Sequence, residues 1–129
     1  ANDEARLARM LRLCRRLDLS ARTGLLLFAR ASIVQALSFG AEMGYRRIVL
    51  AGVDLNDTRY FWDEDPDLAW FGSGQTGQMH RTMDPAISTV PVDRVVMAFR
   101  DLWLGPAGID LYCGHATSAL HPRLPAFFA

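Results

Sequence analysis

Lysine is missing from the 129 residues, and all 14 basic side chains are arginine. A GC-rich coding sequence produces that bias without any functional pressure. The arginines are balanced by 14 Asp and Glu, so the formal net charge is zero and the electrostatic basis for a nucleic-acid or other polyanion partner is lacking. Cysteine is scarce too. Cys14 and Cys113 lie far apart and form no Cys-x-x-Cys, so neither a zinc knuckle nor a disulfide framework is indicated, and a reduced cytoplasmic setting is the default. No apolar run approaches the roughly 20 residues that a membrane span requires, and no signal-peptide pattern opens the chain. A soluble protein is expected. P-loop, Gly-x-Gly-x-x-Gly, Gly-x-Ser-x-Gly and His-Glu-x-x-His motifs are all absent, which argues against the nucleotide, hydrolase and zinc-peptidase chemistries they carry. The first residue is Ala and the text starts abruptly at a helix, so a piece of a longer protein is expected.

What is present is apolar: half of the residues are hydrophobic, enough for one α/β domain over 1–129 with a core of its own. Asn2 or Asp3 can cap a first helix over 4–17, with Leu7, Met10, Leu11, Cys14 and Leu17 on one face and Arg6, Arg9, Arg12 and Arg16 on a solvated one. Residues 24–28 form a short apolar run that reads as a buried strand or a helix segment. The most informative stretch is 31–54. Ser32 can cap a helix over 32–43 that is apolar on nearly all sides, Gly44 marks a turn, and 47–53 is an aliphatic strand ending on Asp54. Residues 55–89 are rich in Asp, Gly and aromatics and lack a sustained period, as functional loops do. Pro91 and Asp93 open an amphipathic helix with Val92, Val95, Val96, Phe99, Leu102 and Trp103 inward and Asp93, Arg94, Arg100 and Asp101 facing away. Gly105 to Gly108 stops it, a strand follows over 109–113, and Ser or Thr near 117–118 can cap a short helix before Pro122 and Pro125. Alternating strands and helices argue for a mostly parallel sheet with helices on its faces.

Several positions could carry chemistry. Asp54 stands at a strand's carboxyl end, where open α/β sheets bind ligands, and it either faces a ligand or holds a loop through backbone N–H groups. His80, among glycines, is either a surface histidine or a base; an unperturbed imidazole titrates near about pH 6.5 and can remove a hydroxyl proton in a cleft. Tyr60, Phe61, Trp62, Trp70 and Phe71 either cover a hydrophobic edge or line a pocket, with Tyr60 suited to donate a hydrogen bond to an anionic leaving group. The acids Asp63, Glu64, Asp65 and Asp67 fit no calcium-loop spacing and read as a solvated loop, and no metal site is expected.

In order and spacing, Ser32, Gly44-Tyr45-Arg46-Arg47, Gly52-Val53-Asp54, the segment around His80, Leu111-Tyr112-Cys113 and Ser118-Ala119-Leu120 before a proline resemble the bacterial CMP-sialic-acid-dependent sialyltransferases of the lipooligosaccharide type. Related Rossmann-like surface-polysaccharide glycosyltransferases share the pattern. The resemblance covers roughly residues 30 to 125 and corresponds to that family's C-terminal half. It implies a Rossmann-like α/β fold, a mostly parallel sheet with helices on both faces, of which this chain is the C-terminal portion. It implies transfer of sialic acid, another nonulosonic acid or Kdo from a CMP-sugar donor to a hydroxyl of a glycan or lipooligosaccharide acceptor. His80 would be the general base, and Ser32, Asn56, Tyr60, Trp62 and Ser118 would lie in the donor site, with Asp54 a structural anchor there. No metal or separate cofactor is implied, because hydrogen-bond donors take over the leaving phosphate. A cytoplasmic site, at the inner face of the cytoplasmic membrane for a peripheral enzyme, and a homo-oligomer are compatible with it.

Two departures stand against this family. After Gly-Val-Asp the family has an aromatic and then a phosphate-binding tyrosine, where this sequence has Leu55 and Asn56. The family's nucleotide-gripping first half has no counterpart. The alternative is therefore a non-catalytic Rossmann-like module that binds a nucleotide, a glycan or a polysaccharide-assembly partner.

Overall fold

The computed structural model describes residues 3–17, 32–56, 66–71, 82–84, 86 and 89–128. The 24–28 run, His80, Tyr60 and Trp62 lie outside them. Helix α1 is Asp3–Arg16, α2 is Ser32–Glu42 and α3 is Val92–Phe99; strand β1 is Arg47–Leu50 and β2 is Asp110–Cys113. A 3-10 helix, Pro66–Phe71, sits in the stretch read as loop. The architecture is mixed α/β.

β1 and β2 pair in parallel, Arg47 beside Asp110 and Leu50 beside Cys113. Parallel neighbours require a long crossover, and α3 lies within the one that joins them. The chain end adds an isolated parallel bridge, Cys113 to Ala126, so β2 is flanked on both sides. Cys113 N–H donates to the Pro125 carbonyl at 3.1 Å, and Phe127 N–H donates to the Cys113 carbonyl at 2.9 Å. The Cys113 sulfur is fully buried and lies 3.5 Å from each of the carbonyl oxygens of His115, Leu124 and Pro125.

Alternation along the strands decides where the core sits. Ile48, Leu50, Leu111 and Cys113 turn inward and join one cluster with Leu11 of α1, Val34 and Leu37 of α2, and Val92, Val95, Val96 and Phe99 of α3. α2 rides so close on β1 that a Cβ on Gly40 would stand 2.9 Å from the Ile48 Cδ1. α3 is the center of this core. Its first N–H, on Val92, donates to the Thr82 carbonyl at 2.9 Å, which removes one of the unpaired donors of a helix start. Beyond Phe99 the backbone loosens into a π turn, Arg100–Leu104, then tightens into a 3-10 turn, Gly105–Ala107, closed by Gly108 at φ 72°. Phe99 and Trp103 stack across this change with ring centroids 5.6 Å apart.

Several sequence expectations are corrected in detail. Asp93 does not face away: it is buried beside Met97 and pairs with Arg123 at 2.5 Å, because α3 has packing on a second side. The inward seam of α1 is narrower than its apolar spacing suggests, with Leu7, Leu11 and Cys14 against the core while Met10 and Leu17 stand exposed. α2 is not covered all round, since Phe39 is half exposed. Ser32 is a residue of the helix rather than a residue preceding it. β1 stops at Leu50, short of Val53, because Ala51 and Gly52 turn the chain, with Gly52 at φ 69°. No helix forms over 114–120, where successive turns run instead. Among the described residues the helices join the core on one face of the sheet only. The other face carries Arg47, Val49, Asp110 and Tyr112.

Candidate functional site

Both parallel strands finish at the same end of the sheet, and the two loops that leave them meet there. Ala119 N–H donates to the Asp54 carbonyl at 2.8 Å. Ser118 is buried; its hydroxyl donates to the Val53 carbonyl at 3.0 Å and accepts from Leu120 N–H at 3.2 Å. Asn56 Nδ2 donates to the Thr117 carbonyl at 2.6 Å. Residues 53–56 and 117–120 are thus stitched by three cross-loop bonds. Between Asp54 and Asn56, Leu55 sits at φ 60°, a left-handed conformation that costs a non-glycine residue roughly 1–2 kcal/mol. Its side chain packs on the core, which holds the strained residue in place.

The stitching places the sequence candidates as follows. Asp54, Asn56 and Ser118 come together at the strand ends. Asp54 joins the stitch by its main chain, while its side chain is exposed. Asn56 is exposed, with its amide held on Thr117. Ser32 is exposed at the start of α2. α2 turns through residues 43–46 into β1 and lies over it at Gly40, so it runs back along the sheet and its Ser32 end points toward the side where β1 finishes. His115, near a turn, reads in the sequence as less suggestive than His80. It follows β2 by two positions, is exposed, and lies 5.5 Å from the Phe128 ring. Gly114, directly after the Leu-Tyr-Cys run, fixes its position: a Cβ there would stand 3.2 Å from the Leu50 carbonyl oxygen, so glycine keeps the strand ends together and His115 at their rim.

Chemically, the rim offers a carboxylate, an imidazole and the exposed Thr117 beside a rigid loop pair. Among the described residues no three His, Cys, Asp or Glu side chains group to hold a metal ion, and no helix is long and apolar enough to cross a membrane. A groove of about 530 Å³ lies elsewhere, along β2 between Arg100, Asp101, Ile109, Asp110, Tyr112 and Pro125. Its one arginine is already held, by Asp101 at 2.7 Å and by the Arg123 carbonyl. No family model, curated protein or solved structure matches the chain.

Proposed function

We propose that the chain is the strand-end portion of a Rossmann-like glycosyltransferase that takes a CMP-activated sugar, of the sialic acid, nonulosonic acid or Kdo class, and passes it to a hydroxyl of a surface glycan. The observation that carries the reading is the meeting of residues 53–56 and 117–120 at the carboxyl ends of a parallel strand pair, the place where open α/β sheets bind ligands. Strained Leu55 supports it, since stored backbone strain concentrates at functional loops. In this reading the acceptor hydroxyl attacks the anomeric carbon as His80 takes its proton, and the bond from that carbon to the CMP phosphate oxygen breaks. CMP leaves with the electron pair. Tyr60 or Trp62 donates a hydrogen bond to the departing phosphate, in place of a metal ion. Ser32 sits by the donor carboxylate, and Asp54 belongs to the anchored loop.

A second reading, a non-catalytic module of the same kind, is favoured by one specific observation. Ser118 is buried with its hydroxyl bonded to the backbone on both sides, donating to Val53 and accepting from Leu120, so it is not free in this state to bind a donor. Calorimetric titration of CMP and of CMP-sialic acid, with chromatographic detection of free CMP in the presence of a lactose-type acceptor, separates the two. Binding with CMP release that His80→Ala reduces at least about 100-fold supports the transferase, since a general base contributes on that order. Binding with no release supports the module, and unchanged release in His80→Ala overturns the assignment of the base.

A further inference from the structure

The sheet has a second face, and its composition is specific. Alternation puts Arg47 and Val49 of β1 and Asp110 and Tyr112 of β2 on the side away from the core, and Ile48, but not Val49, packs against that core. Phe127 joins this side from the closing segment, edge-on to Tyr112 with centroids 5.5 Å apart. The Arg47 guanidinium lies 5.9 Å from the centroids of both the Tyr112 and the Phe127 ring. Arg47 and Asp110 are exposed, Phe127 is 41% exposed, and neither charged residue is in an ion pair among the described residues. A parallel strand pair is normally covered on both faces; here Val49 and Tyr112 are half-buried, and among the described residues no helix lies over this face, so it is one that something covers.

We propose that the occupant is a second copy of this chain, packed face to face about a twofold axis that runs parallel to the strands between β1 and β2. The argument is charge complementarity in register. Arg47 and Asp110 are cross-strand partners, as are Val49 and Tyr112. A twofold so placed lays β1 over the partner's β2, which sets Arg47 against the partner subunit's Asp110, Val49 against the partner subunit's Tyr112, and the reverse pairs alongside. The face is its own complement, as an isologous interface must be. A covering helix of the usual apolar stripe would instead desolvate Arg47 and Asp110 with only each other to pair with, leaving most of the guanidinium donors unsatisfied. The guanidinium is already held over two rings, so little side-chain freedom is lost on pairing. The face is narrow beside the roughly 800 Å² per partner of a standard interface, and the association is accordingly weak, in the micromolar range or above. This inference stands apart from the glycosyltransferase reading.

Sedimentation equilibrium of the full chain from micromolar to millimolar concentration tests it. The wild type self-associates to a dimer, and added salt weakens it. Arg47→Asp and Asp110→Arg each put like charges across the twofold and weaken self-association at least about tenfold. An equimolar mixture of the two variants then forms a heterodimer at least as tight as the wild-type dimer, because one face carries two acids and the other two bases. Asp110→Arg leaves Arg47, Tyr112 and Phe127 themselves in place, so it decides the matter alone if Arg47→Asp loses its circular dichroism signature. A wild type that stays monomeric throughout, single variants that dimerise like the wild type, or folded variants whose mixture does not associate would each overturn the proposal; the first of these means that another partner or segment covers the face.

Discussion

Replacing Ser118 with Ala removes the one side chain that ties the loop after β1 to the turns after β2 from a buried position. Its hydroxyl donates to Val53 and accepts from Leu120, and Leu120 is fully buried. In the variant the Leu120 N–H and the Val53 carbonyl lose their partner, the former where water has little access. Leaving a buried polar group unpaired costs about 1–3 kcal/mol. Leu120 sits near the middle of that range and half-buried Val53, whose carbonyl water can reach, adds little, so the net loss is about 2 kcal/mol. For a domain of this size that lowers Tm by roughly 4–8 °C. The matching change at exposed Asn56, Asn56→Ala, removes a shorter bond between the same loops, 2.6 Å, yet water replaces it and the loss stays within about 0.5–1 kcal/mol. Urea denaturation measures both, with unchanged m-values, and hydrogen exchange at Ala119 and Leu120 speeds up in the Ser118 variant before global unfolding. Equal losses in the two variants, or a loss below about 0.5 kcal/mol for Ser118→Ala, would refute the reasoning that burial sets the strength of this stitch.

Phe99→Ala empties a fully buried site and ends the stack on Trp103, for a loss of about 3–5 kcal/mol in urea denaturation, a large part of the total for any small domain. Gly108→Ala places a Cβ on a residue at φ 72° and lowers stability by roughly 1 kcal/mol, whereas Gly108→Asn, which tolerates the left-handed region, loses less in the same thermal melt. Asp93→Ala removes the partner of Arg123 and an acid from the first turn of α3; because Arg123 can turn to water, the loss is roughly 1.5 kcal/mol, and it shrinks in high salt when followed by denaturant titration.

Local pattern was enough for the elements and too little for their surroundings. The apolar spacing of α3 reports Val92, Val95, Val96 and Phe99 correctly, but a carboxylate is buried only if a cation meets it, and Arg123 is supplied from beyond β2. The fade of β1 at Ala51 follows from the turn geometry of Gly52, whereas the aliphatic run alone continues to Val53. Ser118 reads as a helix cap from its neighbours; in the fold its hydroxyl serves Val53, and Pro122 and Pro125 leave the segment in turns. Asp54, Asn56 and Ser118 meet at the strand ends because they leave two strands that pair, a pairing their order along the chain does not display, and the importance of Gly114 depends likewise on its distance to Leu50.

The burial of Cys113 has a kinetic meaning as well. Its sulfur is enclosed by carbonyls of the turns and of the closing segment, so a thiol reagent reaches it only when residues 124–128 lift away from β2. Cys14, half-buried on α1, is open to modification sooner. The chain therefore carries a two-speed chemical clock: the fast thiol titrates the reagent, and the slow one counts how often the far edge of the sheet comes undone.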